Sequence, residues 1–391
     1  MKKIILLLLS TALTLAFLPQ EQHEVAVVNI EVPVRAFSGS TFVDRLTIDD
    51  FEVYEDGKVQ KIAAVYLISK NKVRMEEGEH KFTPDVTRNF VLLFEIQDYM
   101  PKIGAAIDYF FNNVIGPGDT LRVITSMNIY NFKDEALRRL PRHEIANQLK
   151  WKIRQDAKIG NSEYRNLIKE LEESLIGEQF LDEKLQRYSD ILRRLENIRS
   201  IDEKNLLNFA DYLKSLEGQK HVFMFYQKEL VPKLSPQELD ILMSTNQDRM
   251  DIVQTILDLF VFFQRDVSFD LNRVKQAFSD SSVSVHFLFI TKPPEERAGM
   301  TSMRPSGLQM VEQSEDIFNA FREVALATGG FVESSADASV AFQSAVNASE
   351  NYYLIYYAPQ NYTPDGKFKN IEVKVKNKGY RVLHRAGYIA N

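Results

Sequence analysis

The chain has 391 residues, of which 45% are apolar, 26% charged and 11% aromatic. That profile belongs to a folded globular protein and excludes disordered, collagenous and low-complexity chains; at ~100–200 residues per domain it predicts two or three domains. The formal net charge of −6 argues against a nucleic-acid binder that works through a broad basic field. With no cysteine, disulfides, thiolate zinc sites, iron–sulfur clusters, cysteine nucleophiles and lipidation at a leader cysteine are all ruled out.

Lys2 and Lys3 precede an apolar run over 4–18, IILLLLSTALTLAFL. That run is shorter than the roughly 20 residues of a membrane-spanning helix. A basic start, a short apolar stretch and small residues at Thr14 and Ala16 read as a secretory leader over 1–16, ending at the latest near 22. The expected location is then periplasmic or extracellular, with no membrane span once the leader is removed. An uncleaved N-terminal anchor is the alternative. The next longest apolar run, 256–263 (ILDLFVFF), reads as part of a buried helix.

The flank over 23–84 reads as β. Ile30, Val32 and Val34 alternate with Glu31, Pro33 and Arg35, the period of a strand buried on one face. Pro33 has no N–H to give a ladder, which places this strand at a sheet edge. Asp56-Gly57 between alternating runs signals a hairpin. The far flank, 348–391, looks similar. It holds YYLIYY at 352–357, turns at Pro364-Asp365-Gly366 and Asn377-Lys378-Gly379, and alternating Ile371, Val373 and Val375. An isolated hairpin is marginal in water. The two flanks are therefore expected to form one discontinuous antiparallel β-sandwich.

Between them, 85–347 alternates apolar strands with helices. The strands are 90–96 (FVLLFEI), 121–125 (LRVIT), 222–226 (VFMFY) and 283–290 (VSVHFLFI). Continuous apolar strands are buried on both faces, as in parallel sheets. Ile103, Ile107, Phe110, Phe111 and Val114 fall at helical spacing, as do Ile317, Phe321, Val324 and Ala325. The pattern predicts an α/β domain with a doubly wound, mostly parallel sheet. A helical stretch over 134–217 reads as an insertion. Leu181, Leu185, Tyr188, Leu192 and Leu195 form a heptad seam, and Tyr164, Leu167, Ile168, Leu171 and Leu175 a second apolar face. These faces pack on each other or on the sheet, or they form an arm that binds a partner or a second copy. The segment 292–311 (KPPEERAGMTSMRPSGLQMV) reads as a long loop, functional or disordered.

Catalytic signatures are missing. The six histidines, His23, His80, His143, His221, His286 and His384, form no HExxH or HxH pair. His221 and His286 sit in or beside expected core strands and read as structural. There is no GxSxG elbow, P-loop or GxGxxG turn. The carboxylates Glu172-Glu173 lie on a charged helix face. The YYLIYY strand reads as sandwich core, with a carbohydrate platform as the alternative.

Several motifs together resemble a known family. They are Asp49-Asp50-Phe51-Glu52-Val53-Tyr54-Glu55-Asp56-Gly57-Lys58, the Pro117-Gly118-Asp119 turn, the Thr328-Gly329-Gly330 turn, Tyr352-Tyr353-Leu354-Ile355-Tyr356-Tyr357, Asp365-Gly366-Lys367-Phe368 and Arg385-Ala386-Gly387-Tyr388. The chain, apart from 134–217, resembles the exported bacterial proteins that carry a von Willebrand factor type A (VWA)-related domain, of the acidobacterial type. The resemblance implies an open α/β sheet and, beyond its C-terminal strand ends, a metal-ion-dependent adhesion site. Such a site uses Asp-x-Ser-x-Ser after the first strand, a Thr from a second loop and an Asp from a third, around Mg²⁺. Here those positions fall on Glu95, Gln97 and Tyr99, with Asp98 between the last two, then near Ser162, then on Gln227 beside Lys228. A longer carboxylate, a ring in place of a hydroxyl and an ammonium beside the third position make this a degenerate site. The expectation is a non-enzymatic protein that binds a protein partner at this rim, without metal or other cofactor. Glu95, Gln97, Asp98, Tyr99, Ser162, Gln227 and Lys228 are the candidate residues. An envelope hydrolase with its site at the domain boundary, or a module self-associating through its helices, are the alternatives.

Overall fold

The computed structural model describes residues 28–79, 81–132, 134–174, 181–262, 267–291, 308–312 and 314–391. The expected leader, His23, His80, Leu175 and most of the loop expected over 292–311 lie outside them. No helix among the described residues is long and apolar enough to cross a membrane.

The first flank supplies β1 (Ile30–Ser38), β2 (Thr41–Phe42), β3 (Phe51–Glu55), β4 (Lys58–Gln60), β5 (Ile62–Ser69) and β6 (Lys72–Gly78). The middle holds β7 (Arg88–Glu95), α1 (Pro101–Tyr109), β8 (Thr120–Thr125), β9 (Ile129–Phe132), α2 (Asp134–Arg139), α3 (Arg142–Gly160), α4 (Ser162–Ser174), α5 (Leu181–Arg199) and α6 (Glu203–Lys214). It continues with β10 (Gln219–Gln227), β11 (Leu230–Leu234), α7 (Pro236–Thr245), α8 (Met250–Phe262), α9 (Leu271–Asp280), β12 (Val283–Ile290), β13 (Leu308–Glu312), α10 (Glu315–Ala327), β14 (Val332–Ser335) and α11 (Ala338–Ser349). The last flank adds β15 (Asn351–Tyr357), β16 (Phe368–Val375), β17 (Arg381–His384) and β18 (Gly387–Ile389).

The flanks interleave. One antiparallel sheet runs β17-β1-β15-β5-β6 and a second runs β18-β16-β3-β4. They share a core of Val32, Val34, Val53, Tyr353, Ile355, Tyr357 and Val373. Asp56 and Gly57 both adopt positive φ, 47° and 77°, and close the β3–β4 hairpin as a mirror-image turn requires. The edge position expected for Pro33 is corrected, because β1 lies between β15 and β17. The pairing with β17 starts only at Val34, so at Pro33 the strand has a neighbour on one side only.

The middle builds a mixed sheet in the order β14-β12-β10-β7-β8-β9. Its strands are parallel except β9, which runs against β8. Both faces are covered. Phe90, Leu92, Phe94, Phe223 and Phe225 pack on α1, α3 and α11 through Ile103, Ile107, Leu149, Ile153 and Phe342. Val91, Val222 and Val285 pack on α6, α9 and α10 through Leu213, Val274, Phe278 and Val324. Burial on two faces is why these strands carry no polar alternation.

The stretch expected as one insertion, 134–217, divides. α3 covers one sheet face and α6 the other. Only α4 and α5 stand off, and chain after β10 joins them. Tyr164, Leu167, Leu171, Leu185, Tyr188, Leu192 and Leu195 share a core with Leu234, Leu239, Ile252 and Ile256. The described seam of α5 is therefore filled from within the chain. Part of the expected 292–311 loop is strand, since β13 pairs antiparallel with β11.

Arg88 anchors the start of β7. Its Nε and Nη2 donate to the Asp119 carboxylate at 3.0 and 2.5 Å, and Nη2 also donates to Val114 O at 3.0 Å. Asp119 in turn accepts Gly116 N–H at 2.7 Å, and both charged side chains are buried. Removing one partner of a buried pair strands the other charge. Asp119→Ala is therefore expected to destabilise the chain by about 3–5 kcal/mol in urea unfolding.

Candidate functional site at the strand ends

β7 and β10 lie side by side, with Glu95 opposite Tyr226. β8 follows β7 on one side of the sheet, while β12 follows β10 on the other. The order reverses between β7 and β10, and open α/β sheets hold ligands in the crevice this leaves.

Gln227 closes the floor of that crevice. Its side chain is buried, and Oε1 accepts the backbone N–H groups of Gln97 and Asp98, both at 2.8 Å. Two donors fix the amide orientation, because Nε2 cannot accept them. Nε2 is then a buried donor with no partner among the described residues. From the other side, Asn161 Nδ2 donates to Ile96 O at 2.9 Å. The Tyr164 hydroxyl hydrogen-bonds the Gln97 side chain.

Glu95 and Gln227 both line a cavity of about 300 Å³. Its mouth is polar, formed with Gln97, Asn161, Tyr164, Arg199 and Glu229. Its depth is apolar, running between the sheet and α6, α9 and α10 past Leu206, Val222, Phe278, Val285 and Phe321. Arg199 ion-pairs with Glu229, which also accepts the Tyr226 hydroxyl at 2.9 Å. Glu95 is exposed at the mouth, with the protein packed densely behind it. Desolvation by that surrounding protein, together with the nearby Glu229 charge, pushes the Glu95 carboxyl up to about 7. Burial and Glu229 also drive the Tyr226 hydroxyl well above its ordinary value.

Of the residues expected at the rim, Glu95, Gln97 and Gln227 converge. Asp98 is held there by its backbone and exposes its side chain. Three others are elsewhere. Tyr99 lies in a groove with Asp108, Lys150 and Trp151, its ring 4.8 Å from the Arg154 guanidinium. Ser162 is exposed and donates to Ile159 O at 2.7 Å, turning α3 into α4. Lys228 does not stand over the third position. Its N–H donates to Ile290 O at 2.9 Å and its ammonium pairs with Glu312. Tyr164, read from the sequence only as part of a helix's apolar face, joins the site together with Arg199, Tyr226 and Glu229, none of which was expected there. Glu229, two residues past Gln227, carried the one local signal, a carboxylate just beyond an apolar strand.

The donor set does not fit Mg²⁺. That ion asks for near-octahedral oxygen ligation. Here the Gln227 oxygen is spent on two N–H groups, the Ser162 hydroxyl is turned away, and Glu229 is tied to Arg199 and Tyr226. No cluster of three or more His, Asp or Glu side chains among the described residues has the spacing to hold a metal.

No family model matches the chain, and no curated protein matches it. Among solved structures, the human COPII-coat protein Sec24c aligns over 80% of this chain and 44% of its own, at 8% identity and a TM-score of 0.33. The chain thus spans under half of that protein's length, and a likeness this loose carries no argument.

Two outcomes follow from this geometry. Gln227→Leu leaves two part-buried N–H groups without their acceptor and is expected to cost about 1 kcal/mol in urea unfolding. Glu95 holds its proton more tightly folded than unfolded, so its contribution to stability is whole below about pH 4.5 and is lost as pH rises through about 7. Glu95→Gln is expected to remove that part of the pH slope, together with a carboxyl carbon signal titrating near 7 in the NMR spectrum.

Proposed function

We propose that this chain is an exported, non-enzymatic binding protein with a VWA-like core, which docks a protein partner at the C-terminal ends of β7 and β10 without a metal ion. The observation that carries the proposal is the reversal of strand order between β7 and β10, with the Gln227 amide bridging the loops beyond it. The antiparallel edge strand β9 and the helices on both faces agree with a VWA-like sheet. The exposed Asp98 side chain offers a charged contact on the outer lip of the crevice.

Metal independence is tested by thermal unfolding of the full chain in chelator and in added Mg²⁺. The midpoint is expected to be the same in both; a rise with Mg²⁺ that chelator reverses overturns the metal-free site, because a ligand of the folded state must stabilise it. Capture of the partner from the native envelope fraction is expected to weaken with Asp98→Arg, and equal capture removes the rim from the proposal.

One observation favours hydrolysis as a second reading. A carboxyl that titrates near 7 in a cavity suits general acid–base work. Turnover of nitrophenyl esters, phosphates or glycosides that vanishes in Glu95→Gln would establish it over binding alone.

A further inference from the structure

The cavity behind Glu95 is built for something smaller than a protein. At the ~30 Å³ that a water occupies, about 300 Å³ holds roughly ten non-hydrogen atoms. Its depth is lined by Leu93, Met224, Leu206, Phe209, Ile317 and Phe321. Side chains of this kind suit the apolar body of a ligand. The mouth has an uncompensated charge. Arg199 is paired with Glu229, and no side chain among the described residues hydrogen-bonds or ion-pairs with Glu95. Among the residues that line the cavity, two carboxylates stand against one guanidinium and leave its mouth net negative whenever Glu95 is ionised; Arg165 of α4 lies beyond the lining, its Nη1 donating to Gln97 O at 3.4 Å.

We infer that the cavity binds a small amphipathic amine of about ten heavy atoms, with its apolar body between the sheet and α10 and its ammonium on Glu95. A carboxylate ligand would meet Glu95 and Glu229 at the mouth and is disfavoured. A neutral ligand would leave Glu95 without a counter-charge. The groups facing Glu95 are Glu229 beyond β10, Arg199 at the end of α5, Tyr226 on β10 and Tyr164 on α4, with Asp316 of α10 acting on Arg199. The inference rests on the cavity and its mouth, and it stands or falls apart from protein docking at the rim.

The test is calorimetric titration of the full chain with 2-amino-1-phenylethanol, beside the amine-free 2-phenylethanol and the acid phenylacetate. The amine is expected to bind, and both controls to bind far more weakly. Its affinity is expected to rise about tenfold from pH 6 to pH 8, as Glu95 goes from roughly one tenth to nine tenths ionised while the amine stays protonated. Glu95→Gln is expected to weaken binding by about 30-fold or more. Leu206→Trp, which fills the chamber from the α6 side, is expected to abolish binding, so the site remains testable if the Glu95 variant fails to fold. Failure of the amine to bind, equal binding of the alcohol, tighter binding of the acid, or binding unchanged in Leu206→Trp each overturns the inference.

Discussion

Beyond Glu95 and Gln227 the chain leaves two paired strands for different layers, so no backbone ladder can close the gap between them. Any backbone polar group at that point needs a side-chain partner or water. The Gln227 amide meets this constraint for two N–H groups at once, and Asn161 meets it for the Ile96 carbonyl. A carboxylate at 227 would accept the same two bonds. It would also set a third negative charge near Glu95 and Glu229, whose nearest guanidinium, Arg199, is already paired with Glu229. A neutral amide keeps the loop after β7 in place without that repulsion. The cavity, its mouth and the position of Glu95 all depend on this bridge.

A second constraint joins the flanking sheets to the α/β unit. Arg35 of β1 is almost wholly buried, and Nη1 donates to Gly329 O at 3.1 Å and to Ser284 Oγ at 3.3 Å. Burial lowers its guanidinium to about 10, so it stays cationic at neutral pH. His221 and His286 lie close by, with Nδ1 and Nε2 3.4 Å apart, and burial followed by the neighbouring charges holds both well below their usual range. Neutral imidazoles beside a buried cation add no repulsion. Glu31 ties the same seam from β1. It accepts Gln219 Nε2 at 3.0 Å and the Tyr356 hydroxyl at 2.8 Å, while its carbonyl accepts Arg385 Nη2 at 2.7 Å. Gly330 sits so close to β12 that a Cβ would lie 1.8 Å from Val285 O, which explains a glycine there.

Much of this was legible in the residues. The strands 222–226 and 283–290 announced themselves because burial on two faces leaves no polar alternation. Asp56-Gly57 announced its hairpin because few other residues accept two successive positive φ angles. The extent of the insertion was not legible. An amphipathic helix carries the same apolar stripe whether it covers a sheet, as α3 and α6 do, or another helix, as α4 and α5 do. The β11–β13 pair joins short segments far apart in sequence, which periodicity cannot link. Glu95 and Gln227 could be named because each ends an apolar strand. Arg199 and Glu229 could not be paired, since only the fold brings the end of α5 to the end of β10.

The two carboxylates at the mouth have opposite fates, and the difference decides what the crevice can hold. Glu229 has an arginine and a tyrosine hydroxyl, so its charge is met within the chain. Glu95, exposed at the mouth, has only partial solvation and a like charge for company. A hard divalent ion would need about six oxygens, and those near Glu95 are already committed. A compact monovalent cation would find one carboxylate and no reason to give up its water. A cation that carries its own apolar body is different, because the energy of burying that body in the chamber offsets the desolvation of its charge, at roughly 25 cal/mol for each Å² removed from water. The same chamber that makes the site a poor metal centre therefore makes it selective for an organic cation, and the selectivity comes from the apolar depth rather than from the carboxylate.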